Sequence, residues 1–142
     1  MRRDADWNSR MDTTLHWAAL LTLATLILVS GCAAYVGWAR GKFKVPAPST
    51  TGPEGFERAF RVQMNTLENA VIFLPALWLA TLYANAAWAS VLGAIWLAAR
   101  LWYALAYARH PKTRGAPFVT AYTAWSALMI LAAWGVVGTL LR

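Results

Sequence analysis

The chain has 142 residues, of which 59% are hydrophobic, only 13% are charged and nine are tryptophan. This composition, with a mean hydropathy of +0.43, excludes an ordinary soluble domain and predicts one small integral membrane domain. The formal charge of +7 (13 basic minus 6 acidic residues) is spread over short loops and not gathered into a patch. That distribution favours membrane topology and contact with anionic membrane lipids, and argues against nucleic-acid binding.

The sequence contains four apolar segments, at residues 15–38, 56–83, 88–109 and 117–141. Each is long enough to cross a bilayer with some tilt. The connections are a loop rich in Pro, Gly, Ser and Thr, a tight turn at 83–87, and a basic loop at 110–117. Pro75 lies inside the second segment and predicts a bend there. The predicted fold class is therefore all-α, an integral membrane four-helix bundle.

The basic residues predict how the bundle is oriented. Eight of them lie in or beside the first and third loops: Arg40, Lys42, Lys44, Arg58, Arg61, Arg109, Lys112 and Arg114. Four lie near the termini, the middle turn has none, and Arg100 falls inside a segment. The positive-inside rule then predicts that the first and third loops are cytoplasmic and that both termini lie outside. The expected location is a bacterial inner membrane. The arginine-rich N-terminal tail pulls in the opposite direction.

A second pattern competes for the first segment. Val29, Ser30, Gly31 and Cys32 resemble a bacterial lipoprotein cleavage box. The apolar run continues beyond Cys32 without giving way to a polar linker, so a membrane span is favoured over a signal peptide. A lone cysteine excludes an internal disulfide, and we expect Cys32 to be a packing residue.

The second segment begins with polar residues that are costly in a membrane. Its uncharged part, residues 70–83, is too short to cross about 30 Å of hydrocarbon at about 1.5 Å per residue. The charged end must therefore reach or pass the headgroup level. Glu57, Arg61, Asn65 and Glu68 are four, four and three residues apart, which places them on one helical face. Charged groups cost about 2.5–3.5 kcal/mol near a helix centre, so this stripe predicts a functional site.

The third segment carries a second polar face. Arg100, Tyr103 and Tyr107 follow one another at three and four residues, again on one side of a helix. Gln63 lies two positions after the stripe's arginine and points well away from it. The alternative interpretation is that these groups only pair with each other to hold the bundle together, for example Glu68 with Arg100.

Metal binding is not predicted. His16 lies at the start of the first segment and His110 lies in the third loop. Neither has a second ligand at a spacing typical of metal sites, so both are interpreted as interfacial or loop residues.

These patterns together resemble the MAPEG superfamily, the membrane-associated proteins in eicosanoid and glutathione metabolism. The resemblance rests on E-R-x-x-R-x-x-x-N-x-x-E at residues 57–68, on A-A-R-L-W-Y-A-L-A-Y-A-R at residues 98–109, and on Arg114 with Pro117. It covers about residues 39–117 at specific spacing, and the flanking helices match in character only. The first motif is the specific part, since four hydrophobic helices alone would be a weak signal.

The resemblance implies a homotrimer that binds glutathione between neighbouring subunits and uses its thiol against lipophilic electrophiles or lipid hydroperoxides. It implies peptide-binding roles in one subunit for Arg61, Asn65, Glu68, Tyr103 and Tyr107. It further implies that Arg40 and Gln63 reach in from the adjacent subunit and that Arg114 stabilises the thiolate. A peptide with two carboxylates, an ammonium and a thiol needs cations, an anion and neutral hydrogen-bonding groups, which this set supplies.

Two departures from the family pattern narrow the expected activity. Gly41 stands where the leukotriene-forming enzyme has a second arginine, and Asn69 stands where it has a tyrosine. The first departure argues against leukotriene synthesis, and the second removes one ring hydroxyl from the peptide site. Asn69 after Glu68 instead resembles the general microsomal transferases, which favours broad conjugation or peroxide reduction. Two other functions stay open: a non-catalytic lipid-binding scaffold, whose family branch lacks the residues matching Arg61 and Glu68, and a small exporter using Glu68 as a proton-coupled carboxylate.

Overall fold

A computed structural model describes the backbone of residues 2–141 and the side chains of residues 15–141. Its elements in chain order are α1 (Arg2–Phe43), α2 (Glu54–Tyr83), α3 (Ala86–Arg109), a 3-10 turn (Pro111–Arg114) and α4 (Gly115–Leu140). All four α-helices are long and apolar enough to cross a membrane. The prediction of an all-α four-helix bundle is confirmed.

Several helix ends differ from the predicted segments, and two of these differences lie near the candidate site. The first helix continues to Phe43 and carries Arg40 and Lys42 in its last turn, where cations interact favourably with the helix dipole. The predicted loop at 110–117 is wrong in its second half, because the 3-10 turn leads directly into α4 at Gly115. Pro117 then lies in the first helical turn, where its missing N–H removes no hydrogen bond.

The connections between the helices are held by specific contacts. In the α1–α2 loop, Nη1 of Arg40 donates to the Ser49 carbonyl at 2.9 Å, and the guanidinium lies 4.9 Å from the Phe56 ring centroid. At the start of α3, Asn85 accepts a hydrogen bond from the Trp88 N–H at 3.0 Å, a typical N-cap interaction. These short links make successive helices antiparallel, so α1 and α3 run in the same direction.

Close packing of small and aromatic residues forms the core. The rings of Phe73 and Trp96 stack with centroids 3.8 Å apart. Gly93 allows α3 to approach its neighbours, since a Cβ there would lie 2.8 Å from Leu21 Cδ1 and 3.1 Å from Leu77 Cδ1. Small residues at helix interfaces are typical of membrane bundles, where close backbone approach contributes to association.

The outer surface is strongly apolar. Ile27, Ile130 and Trp134 are 73%, 71% and 81% exposed, and many other large apolar side chains are also exposed. This exposed apolar area is far larger than the apolar patches found on soluble monomers. With four helices of spanning length, it identifies an integral membrane protein.

Candidate functional site

Four elements meet near the third loop and enclose a cavity of about 320 Å³. The residues that line it are Asn65 from α2, Tyr103 from α3, Arg114 from the 3-10 turn, and Gly115 and Phe118 from α4. We call this space the polar cavity. It brings together three residues that the sequence predicts to be functional.

A hydrogen bond joins two of these residues across the bundle. The Asn65 amide Nδ2 donates to the Tyr103 hydroxyl oxygen at 2.8 Å, and Tyr103 is only 1% exposed. The Asn69 amide donates in turn to the backbone carbonyl of Asn65 at 2.9 Å. Because a tyrosine hydroxyl both accepts and donates, Tyr103 still has a proton to offer a ligand. The Asn65 carboxamide oxygen is likewise an acceptor.

The cation beside the polar cavity, Arg114, packs over an aromatic ring. The Arg114 guanidinium lies 4.7 Å from the Tyr107 ring centroid, within the range of a cation–π interaction. The tight turn that presents it is favoured by Pro111 at its first position and by the Thr113 hydroxyl, which donates to the His110 carbonyl at 2.8 Å. Arg114 itself is exposed. The cavity is therefore bordered by a fixed positive charge.

A buried arginine lies behind the cavity. Arg100 is fully buried, and its Nη2 donates to the Thr66 hydroxyl at 2.9 Å. Its guanidinium lies 4.2 Å from the centroid of the Tyr103 ring. The suggested pairing of Arg100 with Glu68 is not formed within the chain, since Glu68 is exposed and Nε and Nη1 of Arg100 have no hydrogen-bond partner in the part described. Arg100 thus supports the tyrosine that lines the cavity.

Five predicted site residues lie outside the cavity lining of a single chain: Arg40, Arg61, Gln63, Glu68 and Tyr107. Tyr107 is buried, and the Arg114 guanidinium lies over its ring. Arg61 and Glu68 are exposed on α2, one turn before and one turn after Asn65. Gln63 is half-buried, and Arg40 is engaged with the α1–α2 loop through Ser49. One chain therefore brings together only part of the predicted site.

Sequence reasoning missed three residues of the site. Thr66 was not predicted, although its hydroxyl is the hydrogen-bond partner of the buried arginine. Phe118 lay in the fourth apolar segment and Gly115 in the third loop without a predicted role, yet both line the polar cavity. The Phe118 ring lies 6.4 Å from that of Tyr103. The one available signal was the position of Phe118 four residues after Arg114, one helical turn away.

No group of three or more His, Cys, Asp or Glu side chains that could hold a metal ion is found among residues 15–141. Cys32 is buried and packs in a cluster with Val62, Tyr103 and Tyr107.

The fold and site define a class: a four-helix integral membrane protein with a polar cavity at one end of its apolar helices. The profile of the MAPEG family matches residues 14–134. The chain therefore belongs to the MAPEG family, as its motifs predict.

Several proteins are similar to the chain over most of its length. The uncharacterized protein sll1147 of Synechocystis is 45% identical over 102 residues, 72% of this chain and 74% of that protein. Microsomal glutathione S-transferase 2 of Bos taurus is 36% identical over 126 residues, 85% of this chain and 86% of that protein. Leukotriene C4 synthase of Bos taurus is 38% identical over 117 residues, 82% of this chain and 78% of that protein.

Proposed function

We propose that the protein is a membrane glutathione transferase or peroxidase, which activates the glutathione thiolate for attack on lipophilic electrophiles or lipid hydroperoxides. The observation that carries this proposal is the convergence of Asn65, Tyr103 and Arg114 on one cavity. An amide, a phenol and a guanidinium match the peptide and thiol groups of glutathione in chemical type. The name of one relative, microsomal glutathione S-transferase 2, points to the same substrate.

The face of α2 beside the cavity supplies the charges that the peptide would need. Arg61 lies four residues before Asn65 and Glu68 three residues after it, and both are exposed. Arg61 would pair with a glutathione carboxylate, and Glu68 with the α-ammonium group. Charge-assisted hydrogen bonds of this kind are about twice as strong as neutral ones. The spacing of the three residues along one helix would fix the peptide along α2.

The rest of the site is proposed to come from a neighbouring copy in a homotrimer. Gln63 is two residues from Arg61, about 200° around the helix, so it points to the opposite side of α2. Arg61 would therefore face the glutathione site of its own subunit, and Gln63 would face the site of a neighbouring subunit. The Arg40 guanidinium lies at the end of α1 and is half-buried, so that it retains surface for such a contact. Glutathione would then bind at the boundary between two subunits.

Arg114 would activate the thiol. A free thiol has a pKa of about 8.5 and is mostly protonated at neutral pH, and an adjacent guanidinium favours the thiolate. In conjugation, the thiolate sulfur forms a bond to an electrophilic carbon while the leaving group departs with its electron pair. In peroxide reduction, the thiolate sulfur bonds to the terminal peroxide oxygen as the O–O bond breaks, giving a sulfenic acid and an alkoxide. The alkoxide takes a proton from water and leaves as the alcohol. A second glutathione converts this acid to the disulfide and water.

The proposed location separates the two substrates. With the first and third loops in the cytoplasm of a bacterial cell, the polar cavity would open near the inner leaflet, where water-soluble glutathione is available. Lipophilic electrophiles and hydroperoxides would partition into the bilayer and reach the helices from the side. Such a reaction would remove reactive compounds from the membrane.

An activity screen tests the proposal. Purified protein in detergent is supplied with glutathione and either a generic aryl halide or a lipid hydroperoxide. The expected result is glutathione-dependent turnover of at least one of them, strongly reduced by Arg114→Ala and retained by Lys112→Ala, which removes an exposed cation from the same turn. Turnover equal in the two variants would contradict the role of Arg114. No turnover of either class would contradict the proposed enzyme.

A further inference from the structure

A second and larger cavity lies on the outer surface of the bundle, between α1 and α3. Its volume is about 700 Å³, and it extends from Ala24 to Tyr35 on α1 and from Leu97 to Arg109 on α3. Val62 of α2 contributes to its wall. We call this space the α1–α3 groove.

The length of the groove matches one half of a bilayer. Eleven residue steps separate Ala24 from Tyr35 and twelve separate Leu97 from Arg109, which correspond to about 17 and 18 Å at about 1.5 Å per residue. One leaflet contributes about half of a 30 Å hydrocarbon core. Because α1 and α3 run in the same direction, the groove begins near the middle of the membrane and ends at the side of the first and third loops.

The two ends of the groove differ in polarity. Toward the membrane centre its walls are alanine, leucine and isoleucine side chains, whereas Tyr35 and Arg109 lie at its loop end. Arg109 is exposed and occupies the last position of α3. The α1–α3 groove is thus apolar over the length of one leaflet and has a cation and a phenol at the headgroup level. These properties are complementary to an acyl chain with an anionic head group.

The groove is distinct from the polar cavity. Cys32 and Val62 line the groove and also pack in one cluster with Tyr103, which lines the polar cavity, so a single layer of side chains separates the two. Arg40 follows Tyr35 by five residues and points about 140° away around α1. A neighbouring subunit that contacts Arg40 would therefore lie on a different side of α1 from the groove. The groove would still face lipid.

We propose that the α1–α3 groove is a binding site for one acyl chain of an anionic phospholipid, taken from the leaflet on the side of the first and third loops. The phosphate of the head group lies at Arg109, and the chain runs along α1 and α3 toward the membrane centre. The bilayer itself supplies this ligand. The site does not depend on glutathione binding.

Photolabelling in nanodiscs tests this site. The full-length protein is placed in phosphatidylcholine nanodiscs with a small fraction of phosphatidylglycerol that carries a diazirine on its acyl chain. Labelled positions are then mapped by peptide mass spectrometry. A parallel sample contains phosphatidylcholine with the same diazirine chain. We expect the phosphatidylglycerol probe to label residues 24–35 and 97–109 preferentially, and the phosphatidylcholine probe to label them less.

Two pairs of variants examine the head group and the chain separately. Arg109→Gln should lower groove labelling by the anionic probe about fivefold, the effect of one basic residue at a membrane surface, and Lys112→Gln, in the adjacent turn, should leave it unchanged. Ala104→Phe places a ring in the groove and should abolish labelling there. Ala127→Phe, in a separate surface cavity between α3 and α4, should not.

Four results would overturn the proposal. These are labelling spread evenly over all exposed helix faces, equal groove labelling by the two probes, no effect of Arg109→Gln, and displacement of the bound probe by free fatty acid but not by unlabelled phosphatidylglycerol. The last result would assign the groove to fatty acids. If Ala104→Phe fails to assemble, the comparison of Arg109→Gln with Lys112→Gln still decides, because both residues are exposed.

Discussion

Asn65 donates an amide hydrogen to the hydroxyl oxygen of Tyr103 at 2.8 Å and thereby joins α2 to α3 beside the polar cavity. The contact links the polar stripe of α2 with the polar face of α3, two patterns that lie 38 residues apart in the chain. Tyr103 is in turn supported from behind by the buried guanidinium of Arg100. The orientation of the proposed glutathione ligands thus depends on contacts inside the bundle.

Removal of the Tyr103 hydroxyl should weaken glutathione binding. Tyr103→Phe keeps the ring over Arg100 but leaves the Asn65 amide without its acceptor. We expect the free energy of glutathione binding to weaken by about 1 kcal/mol, which lowers the affinity about fivefold. Calorimetric titration measures the change. Tyr122→Phe, which removes an exposed hydroxyl on α4, serves as control, and equal affinities for the two variants would show that the hydrogen bond has no part in binding.

Replacement of Arg114 should act on the thiol. Arg114→Ala removes the cation that stands over the Tyr107 ring, so we expect the pKa of bound glutathione to rise toward that of the free thiol while affinity changes little. The sign follows because a positive charge stabilises the thiolate and its loss favours the protonated form. The thiolate absorbance, followed as pH is raised, gives this pKa. Arg114→Lys should keep part of the lowering of the thiol pKa that Arg114 causes. A thiol pKa identical in wild type and Arg114→Ala would contradict the role assigned to Arg114.

Loss of the Thr66 hydroxyl should destabilise the bundle. Thr66→Val preserves shape but removes the one side-chain acceptor that the described chain offers to Arg100. Because the guanidinium is fully buried, we expect a loss of about 1–2 kcal/mol. Thermal unfolding in detergent measures it. Thr123→Val is the control, since that hydroxyl is exposed and bonds only its own helix, and an equal loss in both variants would refute the special role of Thr66.

Two glycines of α4 should respond in opposite directions to the same substitution. A Cβ at Gly135 would overlap the Tyr83 carbonyl at the α2–α3 turn, whereas a Cβ at Gly138 would meet no atom within 4 Å. Gly135→Ala should therefore lower stability by about 1–3 kcal/mol through overpacking. Gly138→Ala should raise it by about 0.5–1 kcal/mol through helix propensity. Unfolding temperatures that shift alike would contradict the close packing of α4 on this turn.

Local patterns were sufficient to predict the helices and the faces that carry polar groups. Apolar length defines a span, and the spacing of Arg61, Asn65 and Glu68 defines a face, so neither needs tertiary information. The resemblance to the family supplied the ligand set around them. The start of α4 was less predictable, because Pro117 fits both a loop and a first helical turn.

The partners inside the bundle could not be predicted in this way. Which α2 side chain meets Arg100 depends on the rotation and register of two packed helices, and a carboxylate is as plausible in sequence as the Thr66 hydroxyl that is found. Phe118 was missed for the same reason, since the apolar character of a residue on an apolar helix does not show whether it faces lipid or a cavity. The periodicity of the sequence predicts which residues share a helix face, but the contacts between helices depend on how the helices pack.

The most direct test of the central claim is a calorimetric titration of glutathione into the purified protein. We predict saturable binding to the wild type, weakened by Arg61→Ala and by Glu68→Gln, because these residues would pair with the carboxylate and the ammonium of the peptide. Both are exposed, so the substitutions should leave the bundle folded. Absence of any saturable heat with the wild type would contradict the proposed glutathione site and favour a scaffold or an exporter.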